Sequence, residues 1–119
     1  MEDFKKRISN FLKVLSDPTR LNILEFLKDN PSTSIKIQTT LNISQSYASH
    51  QLKKLYDADL IEYEKKGKIK YYKPKNNGIY KLLALIQLYI FKLEKEKYEK
   101  FNLIDGFEPI KDFSDMFEL

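Results

Sequence analysis

The stretch ISQSYASHQLKKL, residues 43–55, decides how this chain is read. Its first half is crowded with residues that favour turns and caps, and its second half mixes apolar and basic side chains. Ser44 can cap a helix in which Ala48, Leu52 and Leu55 recur at i, i+4 and i+7 as one inward stripe. Gln45, Ser46, Tyr47, Ser49, His50 and Lys53 are then left on or beside the outer face. Immediately upstream, Ile37 and Leu41 mark a short helix over 34–41, and Asn42 supplies the turn. Two short helices joined by a tight polar turn make a helix-turn-helix.

Working outward toward the N-terminus, Phe4, Ile8, Phe11, Leu12 and Leu15 form the apolar stripe of a first helix. SDPTR at 16–20 interrupts it: Asp17 is a suitable N-cap, and Pro18 occupies the first helical position, where its missing N–H costs nothing. A second helix carrying Leu21, Ile23, Leu24, Phe26 and Leu27 is expected to stop near Asn30-Pro31, because proline disfavours helix in the residue before it. Arg20 is read as structural, anchored to a carboxylate at the start of that helix, with a phosphate contact as the lesser alternative.

Toward the C-terminus, IEYEKKGKIKYYK at 61–73 alternates β-branched and aromatic residues around Lys66-Gly67, the signature of a hairpin whose turn uses the positive φ open to glycine. A last helix is expected from Ile79 to about Phe101. Its stretch LLALIQLYIFKL, 82–93, has only Gln87 and Lys92 as strongly polar residues, so it must bury two faces rather than one stripe. In so small a protein the second face is expected to meet another copy. The twelve-residue stretch falls short of the roughly 20 needed to span a bilayer, so no membrane span is expected.

The fold class is therefore mainly α with a small β-hairpin (α+β), a winged helix-turn-helix in the order α-α-α-α-β-β-α. Residues 1–101 form the DNA-binding and dimerisation domain, and 102–119 an acidic amphipathic extension. In that extension Ile110, Phe113 and Phe117 repeat at helical spacing, read as a short helix packed on the dimer; a lid whose acids oppose DNA is the sharper alternative.

Composition narrows the function. At 119 residues, 42% apolar and 32% charged, the chain is one folded domain's worth. It has no cysteine, which excludes disulfide frameworks, thiolate metal sites and thiol nucleophiles and fits a reducing cytosol. The N-terminus, MEDFKKRISNFLKVL, has charges spread through its apolar residues and is not read as a signal peptide. From 102 onward five acids face one lysine, so the overall net charge of +4 conceals +8 on residues 1–101. Between 65 and 75 lie six lysines and no acid, a single-sign run that points to a polyanion. With one histidine and three scattered glycines (67, 78 and 106) there is neither a nucleophile system nor a phosphate-cradling loop, so an enzyme is not expected.

VLSDPTRLNILEFL (14–27), LNISQSYASHQLKKLYDADLI (41–61) and KGKIKYY (66–72) together resemble the ArsR/SmtB family of winged-helix transcriptional repressors, over roughly residues 9–75. The resemblance implies a homodimer formed through the first and last helices and bound to an operator of twofold symmetry. It also implies that the fourth helix enters the major groove while the wing lies against the flanking backbone. The dimer residues would be Phe4, Ile8 and Phe11 from the first helix and Leu82, Leu85, Ile86, Tyr89, Ile90 and Leu93 from the last.

Three departures from the family pattern matter. Metal-sensing relatives carry a cysteine pair where this chain has Thr33-Ser34-Ile35. Others carry Asp and His ligands on the last helix, whereas residues 79–101 hold neither. Glu94, Glu96 and Glu99 suit zinc poorly, since it favours nitrogen and sulfur, so no metal or other cofactor is expected. Thirdly, Asp59 stands where many relatives have glycine between the fourth helix and the wing; Asp tolerates a left-handed backbone better than most residues.

The expected partner is double-stranded DNA carrying an inverted repeat, in the cytoplasm, with no membrane and an unidentified effector. Base-edge contacts fall to the N-terminal part of the fourth helix: Ser44, Gln45, Ser46, Tyr47, Ser49, His50 and Lys53. His50 could in principle be a catalytic base or a metal ligand, but no partner for either role is present. DNA contact is preferred, with an ordinary surface histidine as the alternative. Lys65, Lys66, Lys68 and Lys70 are the expected phosphate contacts of the wing, with Lys73 and Lys75 outside the set. The chain is thus expected to be a sequence-specific repressor acting by promoter occlusion. The alternative is an architectural protein that coats duplex DNA with little sequence choice.

Overall fold

A computed structural model describes residues 3–102. The elements run α1 (Phe4–Leu15), α2 (Pro18–Leu27), α3 (Ser34–Leu41), α4 (Gln45–Asp57), β1 (Ile61–Lys66), β2 (Ile69–Pro74) and α5 (Gly78–Asn102), the order expected from the sequence. They fall into two units, one ending at Asn76 and the other beginning at Asn77. The acidic extension expected over 102–119 lies, save for Asn102, outside the described residues.

Each of the first four helices opens on a side-chain cap. Asp3 accepts from the Lys5 N–H at 3.1 Å and Thr33 from the Lys36 N–H at 3.2 Å. Asp17 accepts from Thr19 at 2.7 Å and Arg20 at 3.4 Å, and Ser44 from Tyr47 at 3.2 Å. Such caps typically contribute about 1 kcal/mol each. The turn between α3 and α4 is fixed by Asn42, whose left-handed backbone (φ 54°) lets the Ile43 N–H return to the Gln38 carbonyl at 3.1 Å. Asp59 does the same after α4: at φ 60° it allows the Leu60 N–H to reach the Leu55 carbonyl at 3.0 Å. Because that backbone strains any residue with a Cβ, Asp59→Gly should leave stability unchanged or raise it by up to about 1 kcal/mol, read as a higher urea midpoint at constant slope. A drop of more than that would mean that the exposed Lys75–Asp59 ion pair at 3.3 Å outweighs the strain.

The core of the first unit is built from Ile23, Leu24, Leu27, Ile37, Leu55 and Ile61, all fully buried. Helix α2 sits at its centre, touching α1, α3, α4 and β2. It ends at Leu27, before the expected Asn30-Pro31 stop, because the chain is needed in extended form just beyond. There the buried Ser32 exchanges two backbone hydrogen bonds with Tyr72, at 2.9 and 2.8 Å, and pins the hairpin to the α2–α3 connection. The hairpin is antiparallel with Lys66 opposite Ile69, so Gly67 and Lys68 form a two-residue turn. Gly67 alone of the two has positive φ (65°), the arrangement of a type II′ turn.

In the second unit, α5 leaves Leu82, Ile86, Tyr89, Ile90, Phe91 and Leu93 exposed, and Leu85 half-buried. In the first unit, α1 likewise exposes Phe4, Ile8 and Leu12, with Phe11 half-buried. No helix among the described residues is long and apolar enough to cross a membrane.

Candidate nucleic-acid interface

Helix α4 is held in place by a polar cluster under its inner face. Arg20, 7% exposed, donates to the Val14 carbonyl through Nε at 2.6 Å and to the Lys13 carbonyl through Nη2 at 3.1 Å. Its Nη1 donates to Gln51 Oε1 at 2.7 Å and lies 3.5 Å from Asp17 Oδ2. Gln51, 2% exposed, completes the ring by donating to Asp17 Oδ2 at 3.2 Å. One guanidinium therefore ties the end of α1, the start of α2 and the middle of α4 together. Arg20 is structural, as the sequence suggested.

Partial burial opposes the Asp17 carboxylate. The Thr19 and Arg20 N–H groups, the Gln51 amide and the Arg20 charge outweigh it and hold the carboxyl below its ordinary 3.8. A carboxyl depressed on folding contributes stability above its unfolded value and loses it as pH falls through the folded one. The stability gap between the native chain and Asp17→Asn should therefore be full near neutrality and shrink below about pH 3.8. Urea midpoints of both proteins against pH check this; a gap constant down to strong acid would oppose it.

Above the cluster, the outer face of α4 sorts into engaged and free side chains. Ser44 is occupied as the cap and lies 3.4 Å from the Ser46 hydroxyl, while the Tyr47 hydroxyl donates to Thr19 Oγ1 at 3.3 Å. Lys53 pairs with Asp57 at 2.9 Å, fully in solvent, so the pair is easily exchanged. Gln45, Ser49 and His50 are exposed, and among the described residues their side chains make no hydrogen bond or ion pair.

The register of the wing divides its charges in a way that linear order hides. Glu62 lies opposite Lys73 and Glu64 opposite Tyr71. Lys73 is thereby held by Glu64 at 2.6 Å and Glu62 at 3.7 Å, and Lys75 by Asp59 at 3.3 Å. The hydrogen bond and charge of Lys73 hold the Glu64 carboxyl below its usual range, and the same contact raises the Lys73 ammonium. The unbroken run of six lysines is therefore neutralised at its base. Lys65, Lys66, Lys68 and Lys70 stay exposed at the tip, without an ion pair among the described residues. Two of these are steadied by rings, Lys66 Nζ 5.1 Å from the centroid of Tyr71 and Lys70 Nζ 4.6 Å from that of Tyr63.

Between α4 and the hairpin lies a cleft of about 340 Å³ lined by Ser49, Lys53, Tyr56, Tyr63, Lys70 and Tyr72. Three expected contact residues are thus brought together there, with tyrosines that the sequence reading had not singled out. Tyr56 and Tyr63 pack at 5.5 Å between centroids, and Tyr63 meets Tyr72 edge-on at 5.7 Å. Burial, then the neighbouring Tyr63, raises the Tyr72 hydroxyl above its usual range, which keeps it protonated. Ser49, Lys53 and Tyr56 lie at i, i+4 and i+7, a spacing that marks one stripe of the helix. Tyr63 and Tyr72 share a face only through the hairpin register. Gln51, also missed, is a polar residue beside the inward Leu52, a position that demands a buried partner. Among the described residues no group of three or more His, Asp or Glu is placed to hold a metal ion.

Residues 17–63, from the α2 cap to β1, match the family model "Bacterial regulatory protein, arsR family". The chain is 40% identical over 65 residues to the transcriptional repressor SdpR of Bacillus subtilis, covering 55% of this chain and 72% of that protein. Its fold is that of Rv0081 from M. tuberculosis, with a TM-score of 0.74 at 23% identity over 82% of this chain and 99% of that one. The homodimeric winged helix-turn-helix DNA-binding domain of Mb0332 from Mycobacterium bovis superposes with a TM-score of 0.66 at 25% identity, covering 77% of this chain and 89% of that one. With a helix-turn-helix whose α4 exposes Gln45, Ser49 and His50 and a wing whose tip is cationic, the chain belongs to the arsR family of bacterial regulatory proteins, transcriptional regulators with a winged helix-turn-helix DNA-binding fold rather than enzymes.

Proposed function

We propose that the chain is a homodimeric, sequence-specific repressor that occludes a promoter in the bacterial cytoplasm by binding an inverted-repeat operator. The observation that carries the reading is the pairing of exposed donor–acceptor side chains on α4 with a wing tip of four exposed lysines that form no ion pair among the described residues. Gln45, Ser46, Ser49 and His50 supply base-edge contacts. Ser44 and Tyr47 stand at the entry of the helix, and Lys53 exchanges Asp57 for phosphate. Lys65, Lys66, Lys68 and Lys70 neutralise the flanking backbone.

The dimer is supported by the apolar faces that α1 and α5 leave exposed, through Phe4, Ile8 and Phe11 and through Leu82, Leu85, Ile86, Tyr89, Ile90 and Leu93. It is supported also by the homodimeric state of the Mb0332 domain. The regulation is not metal-responsive on this reading: the chain has no cysteine, and neither His nor Asp occurs over 79–101.

Selection of bound duplexes from a random pool tests the proposal. The expected product is an inverted repeat with half-sites about one helical turn apart. Binding without enrichment would replace it with a low-specificity coating protein. The wing has its own test. Lys66→Ala with Lys68→Ala removes four lysines from a dimer, so the slope of log affinity against log salt should flatten by about 3.6, with all sequences weakened alike. An unchanged slope would remove the wing from the interface.

A further inference from the structure

In a winged helix-turn-helix bound as proposed above, α4 occupies the major groove and the wing lies over the flanking backbone. One phosphodiester strand must then cross the gap between them. In this chain that gap is the cleft floored by Leu52 and walled by Ser49, Lys53 and Tyr56 from α4 and Tyr63 and Lys70 from the hairpin. We propose that this cleft seats a backbone phosphate of the bound duplex, with the Tyr56 and Tyr63 hydroxyls as donors to its oxygens and Lys53 and Lys70 as its counter-charges.

The chemistry of the lining selects the ligand. Ser49, Tyr56 and Tyr63 offer hydroxyls, Lys53 and Lys70 offer ammonium groups, and no carboxylate lines the cleft. Hydroxyls that can donate, beside two ammonium groups and no carboxylate, fit an anion. The Tyr63 ring is engaged: the Lys70 ammonium sits 4.6 Å over it, and the Tyr56 and Tyr72 rings pack against it. Tyr56 is 45% exposed, and neither it nor Tyr63 has a hydrogen-bond partner for its hydroxyl among the described residues. The ring packing fixes those hydroxyls before DNA arrives, so little conformational entropy is lost on contact. Asp57 stands one turn along α4 from Lys53. It already holds Lys53 at 2.9 Å in solvent, where the phosphate competes for the same ammonium. Lys53 thereby becomes a backbone contact that sets the depth of α4 in the groove, leaving Gln45, Ser46, Ser49 and His50 to choose the sequence.

The seat rests on the DNA-binding reading, and its test separates the two. The native chain, Tyr56→Phe, Tyr63→Phe and the double variant are compared on a duplex recovered from the random pool. A neutral methylphosphonate is then placed at each linkage of one half-site in turn. Phenylalanine keeps the ring packing, so melting temperature should not change. Affinity should fall at least about tenfold in the double variant, alike for matched and mismatched duplexes and with no change in salt slope, because no charge is lost. One methylphosphonate, at a linkage between the base contacts and the flank, should weaken the native chain more than the double variant, which has only the lysine contacts left to lose there. Native-strength binding by the double variant, or losses that add at every linkage, would overturn the seat while leaving the DNA reading intact. A native chain that binds no duplex would overturn both.

Discussion

A chain carrying Ile86→Glu and Ile90→Glu on α5 should sediment as a monomer and bind its DNA about 10²–10⁴-fold more weakly than the native protein. Both residues lie exposed on the single chain, 36% and 48%, so the change removes nothing from the protomer's own core. Circular dichroism should therefore show native helix content. The size of the effect follows from linkage. Two recognition helices in one dimer bind their half-sites in a single event, whereas separated chains must each meet the cost of association. Two carboxylates per helix cannot be buried in an apolar interface without a cost of several kcal/mol each. Sedimentation and operator affinity should fail together. A variant that stays dimeric would move the interface off this face, and a monomer that binds at native strength would show that the half-sites act independently.

Arg20→Met should cost about 3–5 kcal/mol of folding stability, because it breaks a buried charged network by removing one partner. The methionine fills much of the same volume, so the loss measures the hydrogen bonds rather than a cavity. It strands Gln51 Oε1 and the carbonyl of Val14, leaves the Lys13 carbonyl to Ser16 alone, and leaves the Asp17 carboxylate without its cation. Arg20→Lys keeps the charge without the planar fork and should lie between the two. Urea unfolding at constant slope checks the figure; a loss below about 1 kcal/mol would mean that water replaces the guanidinium freely. On the sequence-specific reading proposed above, any Arg20→Met protein that still folds should also lose sequence preference, because α4 is then held to the start of α2 by the Gln51–Asp17 hydrogen bond and apolar packing without the guanidinium.

Much of this was legible in the sequence for local reasons. Asp17 with Pro18, Thr33, Asn42 and Ser44 each specify a helix end through their own backbone chemistry, and Gly67 specifies a turn. Period made the rest of the elements visible: Ala48, Leu52 and Leu55 name the inward face of α4, and so its outer face by exclusion. Asp59 kept the left-handed joint that a glycine would have filled, as its short polar side chain allows. One boundary was misplaced. Helix α2 stops at Leu27 because Ser32 pairs with Tyr72, a partner far along the chain.

The sequence alone, then, determined the elements, their order and the inward and outward faces of α4, since caps, turns and periodicity act over a few residues. The tertiary structure decided which charges are free and which are spent. Only the strand register sets Glu62 and Glu64 against Lys73 and divides a six-lysine run into a neutral base and a cationic tip. Only the packing of α4 against the hairpin brings Ser49, Lys53 and Lys70 into one cleft with three tyrosines. Only the fold closes Arg20 onto Gln51, thirty-one residues away. Charge pairing and cleft formation act through space, and spacing along the chain carries no record of them until the backbone has folded.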